Sequence, residues 1–260
     1  MNQLILLREI YTAHPCRTLP NAFWKTAANI RKSSLVVTRS SGEDPSALAI
    51  WEGERLMAFW CSDPAALPLK QAEIEAVSFA LVHETALPLF ARDNFAVRRP
   101  YFRLVHAGGI ENTLCPPGFA FERFNPEVDI DAVVRLIRAS YDNTRVNPEI
   151  VKAWMDHPVY DPDLWLWVID VDSGEKAGLG IAERDPQVPE ASLEWIQVLP
   201  TFRGRGLGKA IVTELLRRVS GSVKFTTVAG ELENVHQPER LYRQCGFTGE
   251  DVWWLLSDKV

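Results

Sequence analysis

Hydrophobic and polar positions follow two periods along the chain, and the changes of period mark its elements. FAFERF (119–124) alternates like a strand. Ile130, Val133, Val134, Ile137 and Tyr141 recur at helical spacing behind Asp129 or Asp131, either of which suits a helix start. Pro148 opens a second short helix to about Trp154. LWLWVID (164–170) and AGLGIAE (177–183) predict a hairpin through Asp172-Ser173-Gly174, and SLEWIQV (192–198) a further strand. From Gly206 to about Val219, Leu207, Ala210, Ile211, Leu215 and Val219 form one face of a long helix. KFTTVA (224–229) predicts a strand, Pro238 to Cys245 a helix stopped by Gly246, and DVWWLL (251–256) the last strand.

The earlier half carries the same mixture. SALAIWEGERLMAFWC (46–61) predicts a hairpin turning at Glu52-Gly53-Glu54, and QAEIEAVSFALV (71–82) a helix. TALPLFARDNFAVRRPYFRLVH (85–106) follows, with a strand in its later part. The best boundary is AGGIENTLCPPG (107–118), where Gly108-Gly109 and Pro116-Pro117 interrupt any regular element. This divides the chain into 1–115 and 116–260, each a mixed α/β arrangement.

Composition adds exclusions. The 260 residues are 47% apolar and 24% charged, a globular balance that excludes disorder and low-complexity arrays. Net charge is −6: 12 Lys and Arg against 11 Asp and Glu up to residue 115, then 16 against 23. A nucleic-acid partner would favour the opposite sign, so none is expected. Cys16, Cys61, Cys115 and Cys245 stand far apart without zinc spacing, and no HExxH joins any two of the five histidines, so no metal is expected. Nor does a GxSxG or Cys/His nucleophile pattern occur. MNQLILLREIYTAH holds only a four-residue apolar run, which predicts neither a leader peptide nor a membrane span, and a cytoplasmic location is expected.

The chemistry concentrates in QVLPTFRGRGLGKA (197–210). Gly204, Gly206 and Gly208 remove side chains directly before a helix, where N–H groups and the positive helix end favour an anion. Arg203, Arg205 and Lys209 add positive charge within the acidic part of the chain. The plainer alternative is a tight loop with solvated charges. G-x-x-x-x-G-K-[ST] and G-x-G-x-x-G both fail on spacing, and Lys209 is followed by Ala210 rather than a hydroxyl residue.

Arg203, Gly206 and Gly208 make an R-x-x-G-x-G, entered from a V-x-P strand end, that resembles the coenzyme-A signature of the GNAT acyltransferase superfamily. Leu241-Tyr242-Arg243-Gln244-Cys245-Gly246-Phe247 resembles the family's downstream L-Y-x-x-x-G-F. Order and separation fit, and the likeness covers about residues 119–260. It implies a GNAT-like acyl-CoA transferase fold, a catalytic domain over 116–260, and acetyl-CoA as co-substrate. One departure is Val235 where the family often carries Asn; Asn234 stands one place away. Ala86, Phe90 and Phe95 echo the family's closing pattern, so 1–115 reads as a degenerate GNAT-like half or as an accessory α/β domain that covers a sheet edge.

The resemblance implies that main-chain groups of Phe202 to Lys209 (Arg203, Gly204, Arg205, Gly206, Leu207, Gly208 and Lys209 among them) hold the diphosphate. It implies that Ile196, Gln197 and Val198 line the pantetheine arm, with Asn234 a further contact. Tyr242 would protonate the departing sulfur, a backbone N–H near Val198 would polarise the thioester, and Glu194 would accept the amine proton. Strict alternation would place Ser192, Glu194, Ile196 and Val198 on one strand face and Leu193, Trp195 and Gln197 on the other. Trp154, Asp156, Tyr160 and Asp161 fall where the family shapes its acceptor pocket, or else form a capped surface turn. The leading expectation is an N-acetyltransferase acting on a small-molecule or peptide amine. The alternatives are a non-catalytic acyl-CoA sensor of the same fold and a nucleotide binder of another fold.

Overall fold

The computed structural model describes residues 3–28, 30–39, 45–62, 68–109, 114–140 and 144–258. They form a mixed α/β fold in two compact units. One unit comprises His106–Thr226 and Arg240–Phe247; the other comprises Met1–Val105, Thr227–Glu239 and Thr248–Val260. The domains expected from sequence are 1–115 and 116–260, whereas residues 227–239 and 248–260 pack in one unit with the N-terminal segment. Tyr141 and part of the expected boundary segment, residues 110–113, lie outside the described residues.

The unit beginning at His106 carries four antiparallel strands in the order β6-β7-β8-β9. They are β6 (Phe119–Arg123), β7 (Trp165–Asp170), β8 (Lys176–Arg184) and β9 (Glu190–Val198). Helices α5 (Ile130–Ser140) and α6 (Pro148–Met155) bury Val133, Ile137 and Val151 against Trp165, Trp167, Leu179 and Ile181. Asn147 caps α6 through its side-chain oxygen, which accepts from Ile150 N–H at 2.9 Å. The Asp129 carboxylate accepts from Trp167 Nε1 at 2.9 Å, from Asn125 N–H at 2.8 Å and from the Lys176 ammonium, tying the start of α5 to β7 and β8. Burial raises the Asp129 pKa, but these donors outweigh it and hold the carboxyl below its ordinary range.

Helix α7 (Leu207–Val219) packs on β8 and β9 with Leu207, Ala210, Ile211, Leu215 and Val219 buried, the face expected from its period. Close approach requires Gly178 and Gly180 on β8. A Cβ on Gly178 would stand 3.0 Å from Ile211 Cδ1, and one on Gly180 would overlap Ile211. Each of these apolar elements falls within a residue or two of its expected place.

The other unit contains α1 (Gln3–Ala13), α2 (Pro15–Thr18), α3 (Phe23–Ala27) and α4 (Gln71–Glu75). Its strands are β1 (Ser34–Arg39), β2 (Pro45–Glu52), β3 (Arg55–Cys61), β4 (Phe79–His83), β5 (Val97–His106), β10 (Phe225–Glu231) and β11 (Thr248–Ser257), the limits of β5 and β10 just overrunning the unit. Their order is β1-β2-β3-β4-β11-β5-β10, with β3 and β4 parallel. The expected hairpin over 46–61 is β2 and β3. The helix expected over 71–82 is corrected: α4 ends at Glu75 and residues 79–83 form β4. There Ala80 and Val82 are buried while Phe79 and Leu81 are half-buried, a period of two between β3 and β11 that overrides the helical count. Ala86, Phe90 and Phe95 join one core with Phe59, Val82 and Leu256, although 84–89 is a 3₁₀ rather than an α segment.

Candidate functional site

Between β9 and α7 the chain makes a 3₁₀ turn over Pro200–Phe202 and then the glycine loop. Gly204 (φ +77°) and Gly206 (φ +79°, ψ 1°) occupy the left-handed region, which disfavours any residue with a Cβ. Gly206 is the N-cap of α7; no side chain caps the helix, and its first turn holds no acidic residue. The Leu207 and Gly208 N–H groups therefore have no intrahelical acceptor. Leu207 is itself buried, at the start of the face that α7 turns inward.

Two arginines fasten this loop. Arg203 Nε donates to the Val198 carbonyl at 3.2 Å, and the Arg205 guanidinium lies 5.2 Å from the Phe202 ring and 5.9 Å from Phe119. A Cβ on Gly204 would meet nothing within 4 Å, and one on Gly206 only Pro116 at 3.8 Å. The loop thus leaves open space over Gly204 and Gly206 at the positive end of α7, beside the Arg203 and Arg205 guanidinium groups, an arrangement that suits a diphosphate.

The helix after β10 braces the loop. Helix α8 (Pro238–Gln244) carries Leu241, whose Cδ2 would lie 3.1 Å from a Cβ at Gly208. Tyr242 follows at 8% exposure, edge-on to Phe247 with ring centroids 5.7 Å apart. Phe247 N–H returns to the Tyr242 carbonyl at 3.1 Å, and Gly246 supplies the positive φ that ends the helix. The two sequence motifs thus meet at Gly208 and Leu241.

Strand β9 corrects the alternation expected from sequence. Ile181 pairs with Trp195 and Ala182 with Leu193, leaving Glu194 as the extra residue of a bulge. Beyond it the faces exchange. Trp195 and Gln197 share the α5/α6 side with Ser192, whereas Leu193 goes with Ile196 and Val198. Glu194 is half-buried and accepts from Ser192 Oγ at 2.8 Å. Leu199 N–H bonds Ala177 O at 2.9 Å, so the Val198 and Ile196 pairs are the non-hydrogen-bonded ones and their N–H groups point away from β8.

The remaining candidates separate. Trp154 stacks on Trp195 at 5.7 Å and 27°, while Tyr160 stands edge-on to Trp165 at 5.3 Å. Asp156 is the C-cap of α6; Asp161 accepts from Asp163 N–H and pairs with Arg184 at 2.7 Å, so both acids serve turns. Asn234 belongs to the other unit, and its Oδ1 accepts from His236 N–H at 2.9 Å. Sequence reasoning overlooked Glu183, 5% exposed and paired across the sheet with Ser192; its signal was an acid at the end of a continuous apolar run. Among the described residues no group of three or more His, Cys, Asp or Glu is placed to hold a metal, and no helix is long and apolar enough to cross a membrane.

Residues 162–249 match the model of the acetyltransferase (GNAT) domain. No curated protein matches the chain. Among solved structures, a GCN5-related N-acetyltransferase from Sphaerobacter thermophilus is similar with TM-score 0.62 at 18% identity, over 86% of this chain and 79% of its own. A GNAT-family acetyltransferase from Colwellia psychrerythraea gives 0.62 at 14% identity over 99% and 98%. A tandem GNAT protein from the clavulanic acid biosynthesis pathway gives 0.57 at 14% identity over 99% and 95%. The fold is that of GNAT acetyltransferases, and the likeness runs through the N-terminal half as well as the part that carries the motifs.

Proposed function

We propose that the protein is an N-acetyltransferase that moves an acetyl group from acetyl-CoA to a primary amine within a ternary complex. The observation that carries this reading is the uncapped, doubly left-handed glycine turn at the head of α7, braced at Gly208 by the helix that bears Tyr242. Bound acetyl-CoA supplies an activated acyl group and a thiol leaving group.

The residues divide the work by position. Amides of Gly204 to Gly208 hold the diphosphate, with Arg205 and Lys209 contributing positive potential. Arg203 fastens the loop to β9 through Val198 O. The side of β9 that faces away from β8 at Ile196 and Val198 aligns the pantetheine arm, and its N–H groups stabilise the carbonyl oxygen as it gains charge. Gln197 occupies the α5/α6 face there.

Glu194 takes a proton from the incoming ammonium, directly or through one water. The neutral nitrogen then forms the C–N bond, the C–S bond breaks, and Tyr242 protonates the sulfur. Loss of the second nitrogen proton leaves the neutral amide, so one ammonium and one thioester give one amide, one thiol and one released proton. The bulge supports the assignment of Glu194, because an extra residue re-aims a side chain and stops regular pairing there.

Coenzyme A binding followed by thiol release from acetyl-CoA across an amine panel tests the reading. Saturable binding with amine-dependent release is expected. Binding without release across the panel would favour an acyl-CoA sensor, and a response to ATP or a dinucleotide but none to coenzyme A would reject the fold-based assignment.

A further inference from the structure

The α5/α6 face of the sheet brings together three aromatic rings and two carboxylates around β8 and β9. Glu183 on β8 lies opposite Ser192 on β9, and Ser192 Oγ donates to Glu194, so one serine stands between the two acids. Trp195 lies on the same face one residue past the bulge and stacks on Trp154 of α6. Tyr160 and Trp154 both pack edge-on to the fully buried Trp165. Trp154, Tyr160 and Trp195 are each half-buried.

We propose that Glu183, Glu194 and the Trp154–Trp195 indole pair form the acceptor site for a monocationic primary amine with a flat or apolar body, Glu183 holding the ammonium and the indoles the body. This rests on the acyl-transfer reading above. The two acids differ in setting: Glu183 is buried at 5% exposure, whereas Glu194 is the half-buried bulge residue. A buried carboxylate suits the retention of an ammonium, and the bulge carboxylate suits the exchange of its proton.

The chemistry favours one charge rather than several. Near the rings, Asp161 already pairs with Arg184 at 2.7 Å and Asp163 with Arg123 at 2.8 Å. A polyamine would require further anions that these ion pairs occupy, whereas indole faces reward apolar area and attract a cation. The Tyr160 hydroxyl reports the local sign: burial first, then the Glu183 charge, raise its pKa, and Arg123 opposes them only in part.

The test combines turnover with direct binding. Phenethylamine, spermidine, an aminoglycoside and a peptide with a free N-terminus are compared by thiol release. Phenethylamine and N,N,N-trimethylphenethylammonium, which cannot be acylated, are titrated by indole fluorescence. Phenethylamine is expected to give the highest kcat/KM, and both aryl cations to quench fluorescence saturably. Glu183→Gln is expected to raise the KM for phenethylamine ~10- to 100-fold with coenzyme A affinity unchanged, and Trp154→Leu to weaken both aryl cations. Quenching that Glu183→Gln weakens, without thiol release from any amine, supports the site and rejects the transferase. Turnover that prefers the polycations, or a Glu183→Gln enzyme with unaltered KM, overturns the proposal. Absence of both quenching and turnover rejects the site and the transferase together.

Discussion

Gly208 and Leu241 are in contact range across the joint between the glycine loop and the α8 helix: a Cβ on the first would lie 3.1 Å from Cδ2 of the second. The glycine turn and the tyrosine-bearing helix are thereby held as one piece. Gly208→Ala sets a gain in helix propensity against a methyl pressed on Leu241, and Leu241→Ala is expected to lower the unfolding midpoint through lost packing. In the double variant the smaller residue makes room for the new methyl. Denaturant unfolding of all four proteins should show a combined loss smaller than the sum, with a coupling of about 0.5–3 kcal/mol.

Tyr242 carries the expected acid. Tyr242→Phe retains the ring that packs edge-on to Phe247 and removes only the hydroxyl. Turnover should fall by roughly 10² to 10⁴, with coenzyme A affinity unchanged by calorimetric titration. Unchanged turnover would take Tyr242 out of the mechanism.

Gly180 concerns stability rather than chemistry. A methyl there would overlap Ile211 on the buried face of α7, a branched side chain with little room to move. Gly180→Ala should cost about 1–3 kcal/mol as overpacking, read as a lower denaturant midpoint at unchanged slope.

Acid sensitivity should be visible at Glu214. Its carboxylate accepts two hydrogen bonds from Arg217 and one from Arg218, and the Arg217 bonds, ahead of the burial that opposes them, hold its pKa below the ordinary 4.5. A lowered native value means stability fully present above about pH 4.5 and lost as pH falls through the native pKa. Glu214→Gln should therefore unfold at lower temperature than the parent at pH 7, and the two melting points should converge as pH drops below that value.

Local signals in the sequence revealed much of this. The α7 period, the glycine turn and Gly246 each depend on neighbours within a few residues, and the structure keeps all three. What the sequence concealed depends on partners distant along the chain. Residues 79–83 read as helix because nothing local shows that β3 and β11 flank them. The bulge at Glu194 is a property of two strands, since one extra residue opposite Ile181 and Ala182 leaves no trace in SLEWIQV. Glu183 was hidden for the same reason: it matters because Ser192 lies opposite it.

The proposed acetyl transfer requires the diphosphate of coenzyme A to rest on the amides at the head of α7. A crystal structure of the coenzyme A complex tests this most directly. Diphosphate oxygens are expected within hydrogen-bond distance, about 2.7–3.2 Å, of backbone nitrogens between Gly204 and Gly208. A diphosphate bound elsewhere, or held by side chains alone with those amides turned to solvent, would contradict it.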